Sequence, residues 1–182
     1  MFFFEEKECV RINIGSVEYG YLSILQDDLK AAKVVFSGID SPRAKWGISL
    51  VEILEEYLVN FPNFFGIRNF LEIDMDFLIK NEKMDYVELL LGSLDFMAEI
   101  NQETYKYVGR VFLNNKLYNI AKKYFDKSKN IFYNDPELHF LLAKYYEILK
   151  DKEGETHYLN ECLKILPDYY PARFMLKNIS NS

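Results

Sequence analysis

From Ser16 to the end of the chain, apolar residues recur at steps of three and four, in amphipathic stretches separated by very short breaks. This periodicity predicts helices over 16–25, 28–40, 43–60, 66–80, 84–99, 103–114, 117–132, 137–149, 153–166 and 171–179. Three of them begin with Pro at the first helical position, in Ser41-Pro42, Asp135-Pro136 and Tyr170-Pro171, where the missing N–H would be unpaired in any case. Residues 1–15 read differently, because Val10, Ile12 and Ile14 alternate with Arg11 and Asn13. A period of two fits a short strand or an extended arm. A single strand cannot form a sheet, so an N-terminal arm packed on the first helices is expected. Short breaks force consecutive helices to lie antiparallel. The chain is therefore a succession of helical hairpins, closed into a bundle or stacked as an open solenoid, and internal repetition decides between the two.

Residues 102–135 set over 136–169, two adjoining blocks of equal length, share a pattern. Tyr105, Val108, Gly109 and Phe112 lie over His139, Leu142, Ala143 and Tyr146; Ala121, Phe125, Ser128 and Ile131 lie over Glu155, Leu159, Cys162 and Ile165. Small residues at Gly109 and Ala121 allow paired helices to approach closely, and Phe112 and Phe125 fill the space beside the crossing. The same spacing recurs in Gly20, Ala32 and Phe36, and more weakly in Met75, Val87 and Leu91. The pattern resembles the tetratricopeptide repeat, a roughly 34-residue helix-turn-helix with an aromatic, then a small residue and Tyr in its first helix and Ala, an aromatic and a closing Pro in its second. The resemblance implies an all-α fold, antiparallel helical hairpins stacked as a right-handed α-solenoid. It divides the chain into an arm over 1–15, a degenerate repeat plus an extra helix over 16–67, repeats over 68–169, and a capping helix and tail over 170–182.

Two departures stand out. Glu155 falls in the small seat of the last full repeat, which favours a turn one residue shorter, with Gly154 in the seat and Tyr158 as the following aromatic. The parity of first and second helices also fails to carry through to Gly20, so one extra helix, 43–60, must interrupt the alternation.

Composition narrows the function. With 49% hydrophobic, 16% aromatic and 27% charged residues the chain folds, and a net charge of -6 gives no attraction to nucleic acid or anionic lipid. The N-terminal Phe2-Phe3-Phe4 is followed at once by acids, unlike a secretion signal, and no uncharged run approaches a membrane span. Cys9 and Cys162 carry no metal or redox spacing, which suits reduced thiols in a cytoplasm. His139 and His157 lack a Glu-x-x-His context, and no phosphate loop or nucleophile motif occurs. Carboxylates at Glu52, Glu55 and Glu56, and at Glu72 and Asp76, read as solvated helix faces. No enzyme, metal or cofactor is expected.

The resemblance implies instead a concave groove lined by first helices. Carried over, its contact positions are Glu103, Lys106, Arg110, Leu113 and Asn114 in one repeat and Glu137, Phe140, Lys144, Glu147 and Ile148 in the next. Lys106, Arg110 and Lys144 would form a basic stripe beside Leu113, Asn114 and Phe140, fit for an acidic peptide or a C-terminal carboxylate. The competing arrangement pairs Arg110 and Lys106 with Glu72 and Asp76. The leading expectation is a non-enzymatic adaptor in the cytoplasm that binds another protein. The alternatives are a dedicated chaperone of the secretion type, and an enzyme or regulator with a pocket in 47–101 around Phe61, Phe64, Phe65 and Phe70. A homo-oligomer stays open, because 30 aromatic residues on a short array can leave an apolar edge.

Overall fold

The computed structural model describes residues 13–56 and 60–180; most of the expected arm, with Cys9, lies outside them, while the helix expected over 43–60 ends at Leu54, where Glu56 turns the chain with left-handed backbone. The described residues are all-helical, and the chain divides into two compact units, Met1–Asn60 and Phe61–Ser182.

The first unit contains α1 (Val17–Leu25), α2 (Leu29–Ser37) and α3 (Pro42–Leu54). Each starts at a residue whose side chain accepts a backbone N–H: Ser16 from Tyr19, Asp28 from Ala31 and Ser41 from Ala44. The fully buried Phe36 ring lies between two glycines, and a Cβ on Gly20 would overlap it while one on Gly47 would come within 2.6 Å. Gly20, Ala32 and Phe36 therefore pack as the spacing predicts, α2 is a second helix, and α3 meets the other edge of the ring.

The second unit begins with α4 (Phe64–Phe70), a π-helical turn (Leu71–Met75) and α5 (Asp76–Lys80), which together fill the expected 66–80 span. The span expected as one helix over 84–99 is two, α6 (Met84–Gly92) and α7 (Leu94–Ile100), broken at the Gly92-Ser93 pair, where helix propensity is low. Then come α8 (Thr104–Asn114), α9 (Tyr118–Ile131), α10 (Pro136–Ile148), α11 (Lys152–Ile165) and α12 (Tyr170–Ser180).

The helices α9 and α11 start and stop one repeat period apart, and so do the turns before them. In both hairpins a lysine with left-handed backbone, Lys116 (φ 61°) or Lys150 (φ 59°), closes the first helix. Its N–H and the next one reach back to carbonyls of the last turn: Lys116 N to Leu113 O and Leu117 N to Phe112 O, matched by Lys150 N to Glu147 O and Asp151 N to Tyr146 O. Glu82 closes α5 and Asp27 closes α1 in the same way. These hairpins thus share one turn geometry.

This fixed turn corrects the shortened one favoured at Glu155. The Phe125 ring lies against Gly109, 2.5 Å from where a Cβ would stand. In the next layer Leu159 takes the place of Phe125 and packs in one buried cluster with Ala143, Cys162 and Ala172. Glu155 keeps the seat of Ala121, and Gly154 instead receives the Tyr146 ring, itself stacked on Tyr158. Burial and the nearby Glu147 carboxylate push the Glu155 carboxyl above its usual range.

Candidate partner-binding face

The first helices α8 and α10 carry the predicted binding positions. Lys106 points inward, its side chain 2% exposed, and its ammonium meets three carboxylates: Asp135 at 2.6 Å, Glu103 at 2.9 Å and Glu137 at 3.0 Å. Burial alone would lower its pKa, but the bonds to Asp135 and Glu103 outweigh that and hold it above its ordinary value. Asp135 is placed for this because it also caps α10, accepting from the N–H groups of Glu137 and Leu138. Arg110 spans two layers, 2.7 Å from Glu72 of the π turn and 2.5 Å from Glu137. Glu72 in turn pairs with Arg68 at 3.4 Å.

Tyr107 donates to Glu103, and burial together with that bond pushes its phenol up to about 12. Burial works against ionisation of Glu103 and Glu137. Bonds from Tyr107 and Lys106 in the first case, and from Lys106 in the second, still hold both below the usual carboxylate range. Carboxylates and cations thus alternate in one web from α4 to α10.

The expected stripe of free positive charge is thus reduced. Lys106 and Arg110 are neutralised within the array. The Arg110–Glu72 half of the competing pairing occurs, whereas Asp76 pairs with Lys80 and accepts from Asn115. The spacing rules that flag i,i+4 partners could not connect Lys106 to Asp135, which lies where the next repeat begins. Lys144 is exposed and makes no ion pair among the described residues; its ammonium stands 5.8 Å from the centre of the half-buried Phe140 ring, which meets Tyr169 at 5.3 Å. Asn114 is exposed and Leu113 is buried. Two further residues continue this register: one period beyond Phe140 and Lys144 stand Phe174 and Asn178 on α12, both exposed, and the same step along the sequence would have found them.

The remaining candidates hold no joint site. His139 is buried, donates from Nε2 to Tyr133 O at 2.8 Å and stacks on Tyr158; burial holds its pKa below the usual histidine value. Burial pushes the Cys162 thiol up to about 11, leaving it unreactive near neutrality. Among the described residues no group of three or more His, Cys, Asp or Glu is placed to hold a metal ion. Phe70 is buried, Phe61 stacks on Phe96, and Phe65 is 84% exposed, so the phenylalanines expected around a pocket in 47–101 share no single environment. No helix of the described residues is long and apolar enough to cross a membrane.

No family model and no curated protein matches the chain. Among solved structures, the anaphase-promoting-complex hetero-tetramer Cut9–Hcn1 superposes with a TM-score of 0.51 at 14% identity, over 90% of this chain and 35% of that one. YrrB, a TPR protein with an unusual peptide-binding site, gives 0.48 at 16% identity, over 88% of this chain and 90% of its own. Pseudomonas aeruginosa PilF gives 0.31 at 15% identity, over 89% and 95%. The hairpins α8–α9 and α10–α11, one repeat period apart, and the superposition on Cut9–Hcn1 make the fold a tetratricopeptide-like helical repeat. In this tetratricopeptide-like array the ionic web joins the first helices of successive layers, and of the predicted contact positions Asn114, Lys144, Glu147 and Ile148 stay exposed, beside the half-buried Phe140.

Proposed function

We propose that this chain is a non-enzymatic interaction scaffold that holds an acidic segment of another protein across the face of α8 and α10. Lys144 would pair with a carboxylate of that segment, Asn114 would bond its backbone, and Phe140 with Leu113 would form the apolar floor. The observation that carries this reading is the exposed Lys144, without an ion pair among the described residues, beside a half-buried aromatic ring on a helix whose capping residue, Asp135, is tied to α8 by a buried ion pair. Lys106 and Arg110 act here as the frame, setting the spacing of the two helices without touching the partner.

The test uses the full chain and a panel of acidic peptides with interspersed Leu and Phe, compared with the same peptides in which Lys replaces every acid. Acidic peptides should bind preferentially, with affinity falling as salt rises. The double variant Phe140→Ala, Lys144→Glu should lose roughly tenfold or more. Binding that is indifferent to peptide charge, or unchanged in the double variant, would refute the assignment.

A further inference from the structure

The side of α12 turned away from the core is covered by no helix among the described residues. α12 turns Ala172, Met175, Leu176 and Ile179 onto the cluster around Ala143, Leu159 and Cys162. Its other side shows Tyr170, 74% exposed, and Phe174, 54% exposed. With Arg173, Lys177 and Asn178 they line one open cleft of about 540 Å³. These positions follow each other at three- and four-residue steps, so they form a single stripe along the helix. Two aromatic rings one turn apart, exposed among the described residues, are a surface awaiting cover.

Size and charge restrict what can cover it. Lys177 stands one period beyond Ala143 and two beyond Gly109, in the seat where α8 and α10 receive their second helices. At Gly109 even a Cβ would lie 2.5 Å from the Phe125 ring. A lysine in that seat holds an incoming helix farther away and places an ammonium at its edge, so a second helix of the α9 or α11 kind does not fit. Arg173 is held by Asp168 at 3.1 Å, while Lys177 has no ion pair among the described residues and no carboxylate lines the cleft. The apolar strip is therefore edged along one side by the cationic row of Arg173 and Lys177. Two copies joined through this stripe would set the Lys177 and Arg173 rows of both against each other with no carboxylate in the cleft to offset them, which disfavours a second copy as the occupant.

We propose that the α12 stripe docks an amphipathic helix of a partner protein, whose apolar side covers Tyr170 and Phe174 and whose flanking Asp or Glu residues pair with Lys177 and Arg173. The inference rests on reading the chain as a protein-binding array, but it concerns a different set of residues from the α8–α10 face. The probe is a stapled helical peptide with Leu along one side and Glu on both flanks, set against the same peptide with Lys flanks, titrated into the full chain by fluorescence anisotropy. The Glu-flanked peptide should bind roughly tenfold or more tighter, Phe174→Ala should weaken it by a similar factor, and Lys177→Glu should reverse the preference between the two peptides.

Both positions are exposed, so the variants should keep the wild-type melting temperature, which is measured alongside. Lys144→Glu alone should leave this binding unchanged. Loss in that variant with no effect at Phe174 or Lys177 would overturn the α12 assignment and leave the other face standing; equal binding of both peptides would also overturn it. Self-association of the chain that is abolished by Phe174→Asp would show a second copy as the occupant, against the proposal.

Discussion

Replacing Lys106 by Met removes the ammonium while keeping most of the side-chain volume, and leaves Asp135, Glu103 and Glu137 facing an apolar group. Each of the three contacts, at 2.6 to 3.0 Å, is worth about 6 kcal/mol at an effective dielectric constant of about 20, before the cost of desolvating the lysine is subtracted. Removing one member of a buried ionic group typically costs about 3–5 kcal/mol. The lower end applies here, because Asp135 keeps two backbone N–H bonds, Glu137 keeps Arg110 and Glu103 keeps Tyr107. A loss of about 3 kcal/mol corresponds to a fall in melting temperature of about 6–12 °C for a chain of this size.

The pH dependence gives an independent check. The Lys106 pKa is raised on folding, so its contribution is complete below the unfolded value of about 10.4 and is lost as pH rises through the folded value. The Glu103 and Glu137 values are depressed, so theirs is complete above about 4.3 and is lost as pH falls through the lower folded values. Lys106→Met should remove the loss on the alkaline side and recover stability relative to wild type on acidification, as the orphaned carboxylates take up protons. Thermal and guanidinium unfolding by circular dichroism, followed from below about pH 4.3 to above about pH 10.4, measures both effects. A melting temperature within about 2 °C of wild type at neutral pH would refute the reasoning.

Three further outcomes follow from the packing. Gly109→Ala should destabilise by about 1–3 kcal/mol, since its Cβ must displace the Phe125 ring, whereas Gly92→Ala, with open space around it, should be neutral or stabilising in the same unfolding assay. Lys116→Gly and Lys150→Gly should each stabilise by about 0.5–1 kcal/mol, because glycine relieves the left-handed strain at a cost in unfolded-chain entropy; a drop in melting temperature would show that the lysine side chain itself matters. Glu155→Ala should raise the melting temperature at neutral pH and flatten the weakly acidic part of the profile. The raised carboxyl pKa means that wild type loses stability as pH rises from about 4.5 through the folded value, and an alanine variant that melts lower would contradict this.

The helices and the period of the repeat were legible because both are written in spacing: apolar steps of three and four, Pro after Ser41 and Asp135, and small residues at Gly20, Gly109 and Ala143 where helices cross. The turn closures were less visible, since Asp27, Glu82, Lys116 and Lys150 occupy left-handed positions that composition assigns to Gly or Asn. The π turn at Leu71–Met75 has no proline or glycine to announce it. At the binding face the positions could be counted, but their charge state could not. Whether Lys106 is a ligand or a strut depends on Asp135, a helix cap whose second role exists only once two layers are stacked.

The web around Lys106 also has an evolutionary corollary. Its members come from separate segments of the chain and neutralise one another out of water, so an inherited change at any of them must be matched by another before the array regains its stability. Asn114, Lys144, Phe174 and Asn178 stand outside that constraint. New partners can be acquired there one substitution at a time, while the ionic lattice beneath stays as it is.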